Sequence, residues 1–308
     1  MPTLSLIQAS TTYVLGGTAQ PLLLDGDGNP RAYIWVERGG ESGTGLAPLN
    51  RLGERGPAQH GMSDRGYRLR PRVIDIVFGI SGNTLGDLYD GRELFLSYIT
   101  PTDAALALRW DLENGKTRQI DCHVTGGASM DSKDRKGFME KVAVEFTCPD
   151  PTFYDPTPVV ALFGASGGAA GMAIPWKIPW TFGASNINQS RPILYTGSWR
   201  SHPIVQISGP IVDPVVTNTA DGSKLDFTGT TLIAGASLTI DTRYGLKTVL
   251  DQNGASQISK LVSGSNLAFA LRAHPIAPGG VNEIRVTGTG IGTATEIYLT
   301  YNTRYIGF

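Results

Sequence analysis

The stretch GASGG, Gly164 to Gly168, frames Ser166 with small residues as in a serine-protease nucleophile, and His60 and Asp103 precede it in chain order. Acyl hydrolysis by such a set needs histidine to take the serine proton and aspartate to hold the imidazole. Ala165 stands where the protease pattern has an acidic residue, and His60 falls in a Gly-rich charged loop. The competing reading is a connector of small residues, and it fits these departures better. GTGIGT, Gly288 to Thr293, has dinucleotide-site glycines, but that site needs a strand before and a helix after. Here a strand-like TEIYLTY follows. Asp25-Gly26-Asp27-Gly28-Asn29 resembles part of a calcium loop without its distal bidentate glutamate, and reads as a turn. Two cysteines and four histidines leave little for a zinc site. No cofactor, metal or catalytic residue is expected.

Two other groups could bind rather than react. Trp199, Arg200 and His202 form the one cluster of the kind that stacks and hydrogen-bonds a sugar. The competing reading makes SWRSHP the start of a strand with a core tryptophan. His202 and His274 each precede a proline, a placement that favours strand starts and turns.

The second group is basic. Six arginines, Arg51, Arg55, Arg65, Arg68, Arg70 and Arg72, fall within 22 residues of a chain with only 26 Lys plus Arg in 308. Residues 1 to 155 hold 16 basic and 20 acidic side chains. The segment 51 to 72 takes six and two of these, net +4, which leaves ten against 18, net −8, elsewhere. A basic arm therefore sits in an otherwise acidic domain. Arginine suits bidentate carboxylate pairing at interfaces. One reading is an arm that reaches the acidic face of an identical neighbour, and head-to-tail copies of that kind close a ring. The others are a solvated loop and a DNA-binding arm. The last lacks interleaved aromatics and a basic overall balance, since the chain carries net charge −1.

The elements that must position these residues are mainly strands. Charged residues are 17%, against roughly 25% in ordinary domains, and there are 39 glycines. Arg31 to Glu37 and Arg72 to Ile80 read as strands. In the latter Ile74, Ile76 and Phe78 share one face and Val73, Asp75 and Val77 the other. The period then changes. Leu85, Leu88, Tyr89, Leu96 and Ile99 follow helical spacing, with Thr84 and Asp87 placed as a capping box. Gly91 inside this one predicted helix costs about 1 kcal/mol relative to alanine, so packing must compensate. Strands resume at LALRWDL, TRQIDCHVTGG and MEKVAVEFTCP, the first two joined through Asn114-Gly115, a hairpin signal. Cys122 and Cys148 fall on such strands, and the N-terminus lacks the features of a signal peptide, so free buried thiols are expected. Four prolines in CPDPTFYDPTP end the first domain at residue 155. A connector follows over 156–190, Gly- and Ala-rich but carrying Trp176, Trp180 and Phe182, so it should dock rather than float. From 191 to 308 short strand candidates alternate with turns, the pattern of a β-sandwich.

This order of features resembles the distal tail protein, Dit, of long-tailed (siphovirus) bacteriophages. The residues that carry the resemblance are the charged arm, about 39–72, ahead of RVIDIVFGI, then DPTFYDP, GSWRSHPIVQISGP and the terminal RYIGF. The resemblance implies a mainly β fold: a tail-tube-like ring domain with one helix, then a galectin-like β-sandwich. It implies a structural virion protein, not an enzyme. Such proteins form a six-fold ring between the tail tube and the tail-tip hub and serve as an attachment platform. Implied partners are further copies of the chain, the tail-tube protein, the hub, and receptor-binding or side-fibre proteins. DNA passes through the channel without specific contact, so the arm should face protein. Assembly would take place in the host cytoplasm. The alternative is a carbohydrate-binding module that uses the C-terminal sandwich.

Overall fold

The computed structural model describes residues 3–8, 11–15, 19–101, 106–130, 135–164 and 186–308. The expected docking of Trp176, Trp180 and Phe182 falls outside these residues, as do Asp103 and Ser166. The chain divides into two compact units: residues Met1–Pro156 with Tyr305–Phe308, and residues Thr157–Arg304. Two segments therefore depart from the expected boundaries. Strand Val159–Gly164, expected in the connector, belongs to the second unit, and the last four residues belong to the first.

The main sheet of the first unit is antiparallel. Its order is Thr11–Val14, Thr3–Gln8, Leu106–Asp111, Thr117–Gly127, Met139–Cys148, Arg72–Gly82, Pro30–Glu41 and Gln20–Leu24. Alternation dictates the burial. Ile74, Ile76, Phe78 and Ile80 are fully buried, while Val73 and Asp75 face outward. On the adjacent strand Val142, Val144 and Phe146 continue the buried row. Each such side chain contributes about 1.5–3 kcal/mol by leaving water, so a register slip would invert the whole face. The turn at Asn114-Gly115 forms as its residues require: Gly115 takes φ +74 and the Asn114 side chain accepts from the Lys116 amide.

Among the described residues there is one α-helix, α1 (Leu85–Ile99). Thr84 and Asp87 form the reciprocal capping box, and Asp87 also pairs with Arg31 at 2.6 Å. Those partners hold the Asp87 carboxyl below its usual range: first the Thr84 hydroxyl bond, then Arg31. The buried face differs from the one expected. Leu88, Gly91, Phe95 and Ile99 turn inward, while Leu85, Tyr89 and Leu96 are exposed. The reason lies at Gly91. A Cβ there would stand 3.1 Å from the Ala32 Cβ and 3.4 Å from Leu22 Cδ2, so the helix seats its glycine against the sheet. The glycine that weakens the isolated helix is the residue that lets it pack.

The second unit is a sandwich. One sheet runs Val159–Gly164, Glu296–Tyr301, Ile204–Ser208, Ser237–Asp241, Thr248–Asp251. The other runs Ile187–Leu194, Val281–Thr289, Ile211–Asn218, Ser223–Asp226, with Thr231–Leu232 paired to Ile211–Asn218. Phe163, Val205, Phe227, Leu238, Phe269 and Val286 meet in their shared core. The long loop ahead of Val281 is held by a buried amide pair. Asn282 Oδ1 accepts from the Arg272 amide at 2.7 Å and from Asn218 Nδ2 at 3.0 Å, so these polar atoms are satisfied inside.

The two helix glycines give a paired expectation. Gly86→Ala, where a Cβ meets only Thr84 Oγ1 at 3.7 Å, should stabilise by up to about 1 kcal/mol through propensity. Gly91→Ala should instead destabilise, because Ala32 is fixed in the sheet. Urea unfolding of both variants measures the two signs.

Candidate assembly surface

The arginine segment is not an extended arm. Leu49–Glu54 and Ser63–Leu69 pair as an antiparallel hairpin that bonds to no other sheet. Its sequence explains its shape. Gly66 takes φ +105 and its amide donates to Asp64 Oδ1 at 2.9 Å, while Met62 folds over Gly53, where a Cβ would strike its sulfur at 2.0 Å. Leu46, Leu49, Met62 and Tyr67 are 66, 41, 62 and 50% exposed, so they bury little on this unit. A two-stranded hairpin without a covering layer is marginally stable in water.

The six arginines separate into three kinds. Arg51 pairs with Asp64 at 2.7 Å and Arg65 with Glu54 at 2.5 Å, both across the hairpin. Exposed pairs of this sort contribute 1 kcal/mol or less, to an order of magnitude, yet they consume both acidic side chains of the segment. Arg55, Arg68 and Arg70 have no acidic partner among the described residues. Arg55 reaches the Gln59 carbonyl and Arg70 the Asn50 amide oxygen, each at 3.4 Å. These three carry the unpaired charge of the hairpin.

Arg72 is the third kind, and it corrects the expectation that it stands at a subunit contact. It is 1% exposed. Its Nε donates to the Pro151 carbonyl at 2.8 Å, Nη1 to those of Gly43 and Gly45, and Nη2 to that of Ile306 at 2.6 Å. The guanidinium lies 4.6 Å from the centre of the Phe153 ring. Burial pushes its pKa down from the ordinary arginine value, but carbonyl dipoles stand in for a counter-ion. The planar fork of five N–H groups makes this possible; an ammonium could not span these carbonyls.

The last residues complete the same anchor. Arg118 covers the Tyr305 ring at 3.5 Å, and Phe308 packs edge-on against Phe153 at 4.9 Å and beside Trp110 at 5.5 Å. The Phe308 amide donates to the Thr44 carbonyl. Cys122 and Cys148 are free and buried nearby in this core. Hydrogen bonding to Cys148, with burial added, pushes the Cys122 thiol well up.

On the second unit, Trp199, Arg200 and His202 do not form a single sugar site. Trp199 is half-buried, not core, and bridges to the backbone of Arg304. Arg200 lies 5.6 Å from the Trp199 ring and 5.7 Å from that of Tyr244, and donates to the Tyr244 hydroxyl at 2.7 Å. Lys247 stands over the other partner, 5.3 Å from the Tyr244 ring centre. His202 turns inward and is 7% exposed, which removes it from the expected contact surface. Its Nδ1 lies 3.0 Å from the Phe269 carbonyl, which can only accept, so Nδ1 carries the proton. Burial is the main cause that lowers its pKa to about 4, so it is neutral at pH 7. Tyr244 carries no local sequence signal; only the fold brings it to Arg200. His60 is exposed in the turn of the hairpin.

No family model matches the sequence, and no curated protein matches it. The structure does have relatives. The crystal structure of the SPP1 Dit protein aligns with a TM-score of 0.60 at 13% identity, over 88% of this chain and 93% of that one. This chain has the Dit fold. SPP1 Dit is described as a paradigm of the hub adsorption apparatus in phages that infect Gram-positive bacteria. Two structures of the phage p2 baseplate in its activated conformation, with Sr and with Ca, align over 97% of this chain at 12% identity with TM-scores of 0.43 and 0.44. The expected mainly β class, with one helix among the described residues, is realised.

Two outcomes follow from the geometry. Arg72→Leu should cost on the order of 3 kcal/mol or more, since it removes four hydrogen bonds to carbonyls, the one to Pro151 buried, while Arg68→Leu should stay within about 0.5 kcal/mol; denaturant midpoints separate them. The His202 shift has the opposite sign from a salt-bridged histidine. The unfolded state binds its proton near pH 6.5 and the folded state only near 4, so stability falls as pH drops through that window. A thermal melt series from pH 7 to 4 should lose part of its slope in His202→Gln.

Proposed function

We propose that this chain is a structural protein of a phage tail, placed at the distal end where the tail tube meets the tail-tip hub. The observation that carries the reading is the Dit fold over most of both chains. In this reading copies of the first unit assemble as a six-fold ring, and the sandwich serves outside it as an attachment platform. The partners are further copies of this chain, the tail-tube protein, the hub and receptor-binding or side-fibre proteins. The protein acts by assembly and not by catalysis. The hairpin supports the ring. It carries three unpaired arginines and exposed apolar side chains that a neighbour would cover. DNA crosses the channel, and phosphate contacts would hold it back, so these arginines meet protein. Buried reduced thiols at Cys122 and Cys148 suit assembly in the host cytoplasm.

A second reading rests on one observation. Trp199 and Tyr244 flank Arg200 at the surface, an aromatic and cationic patch of the kind that holds a sugar. Here the sandwich is a carbohydrate-binding module. Glycan-array binding abolished by Trp199→Ala would favour it.

Negative-stain electron microscopy of the purified protein tests the first reading. Six-fold class averages with a central hole and outward knobs are expected. Triple neutralisation at Arg55, Arg68 and Arg70 should reduce the ring fraction with the melting temperature unchanged. Rings that persist in the triple variant would remove the arginines from the interface.

A further inference from the structure

The outward face of the first unit's sheet contains a charge conflict. Glu145 and Asp75 are direct cross-strand partners, and both are exposed on the same face. Side chains so placed have Cβ atoms about 5 Å apart, and like charges there are destabilising. The partners of each carboxylate are neutral. The Ser42 hydroxyl donates to Asp75 at 3.2 Å and the Thr125 hydroxyl to Glu145 at 2.9 Å. Among the described residues neither carboxylate has a cationic partner. Beside them Val73, on the same strand face as Asp75, is 42% exposed.

The hairpin has the complementary deficit. Arg68 lies in the strand Ser63–Leu69 and Arg70 just past its end, two residues apart, which is about 7 Å along extended chain. Both are exposed and neither has an acidic partner among the described residues. Tyr67 beside them is half exposed. Two cations at strand spacing and two carboxylates at cross-strand spacing are charge-complementary, and guanidinium groups take carboxylates in bidentate geometry.

We propose that Arg68 and Arg70 of one copy dock on the Asp75–Glu145 pair of a second copy. The inference rests on the ring reading and names its contact. Donor and acceptor are different patches of one chain, so the contact is head-to-tail, the kind that closes a ring. The neighbour's arginines relieve the repulsion that the isolated unit leaves in place, so the carboxylate pair weakens the free subunit and strengthens the assembled one. That opposition of signs separates it from an ordinary surface pair.

The test uses the full chain and two reversals, Asp75→Lys with Glu145→Lys and Arg68→Glu with Arg70→Glu. Sedimentation velocity and negative stain measure assembly, and thermal melts measure the subunit. Each reversal should abolish rings, and the chain with all four substitutions should recover them. The milder Asp75→Asn with Glu145→Gln should raise the concentration for half-assembly by about tenfold or more, while the melting temperature of the dilute subunit holds or rises. If wild type forms rings and the Asn/Gln variant forms them at the same concentration, the docking proposal falls and the ring reading stands. If wild type stays monomeric at every concentration, both fall. Failure of the fourfold chain to assemble, with its fold intact by melting, also counts against the pairing. If the reversals do not fold, the Asn/Gln variant decides alone.

Discussion

The first unit is organised around a charge held without a counter-ion. Arg72 opens the central strand, and its guanidinium reaches carbonyls of Gly43, Gly45, Pro151 and Ile306. Three distant stretches of chain, at residues 43–45, 151 and 306, are therefore tied to this strand by one planar group. Without it each carbonyl would lose a partner, and that of Pro151 would lose it in the buried interior. The constraint also explains why the hairpin before Arg72 can be so thinly supported. Its base is locked, so its strands can project with little burial of their own.

Charge on this unit is distributed by role. The cross-strand pairs Arg51–Asp64 and Arg65–Glu54 shape the hairpin and cancel locally. Arg31 ties the sheet to the capping box of α1 through Asp87. A small cationic set on the hairpin and a carboxylate pair on the sheet face have no opposite charge paired with them among the described residues. Each is unfavourable alone, since neither finds an opposite charge within reach. On the proposed ring reading such deficits would be kept because assembly removes them.

The second unit solves a different problem. Its two sheets bury apolar side chains in the usual alternation, and its long loop is held by the Asn218 and Asn282 amides together with the Arg272–Asp221 pair. His202 fits this pattern. It is a neutral, hydrogen-bonded core residue, while the polar display of the unit falls to Trp199, Arg200, Tyr244 and Lys247.

Local rules were legible in the sequence because they act over a few residues. Strand alternation at Ile74, Ile76 and Phe78, the capping box at Thr84 and Asp87, and the turn at Asn114-Gly115 all depend on neighbours in the chain. The mainly β class and the resemblance to Dit proteins followed from their order. Where long-range contacts decide, the letters were silent. Arg72 looked like its five neighbours in the basic run, and only carbonyls from residues 43 to 306 made it a core residue. The buried face of α1 was set by the room at Gly91, which belongs to the sheet. Tyr244 joined Arg200 across 44 residues. The sequence by itself determined the alternation of the main strands and which charges exist. The tertiary structure alone decided which of those charges are buried, which are paired and which are left for a partner, because pairing depends on distances through space that no spacing along the chain encodes.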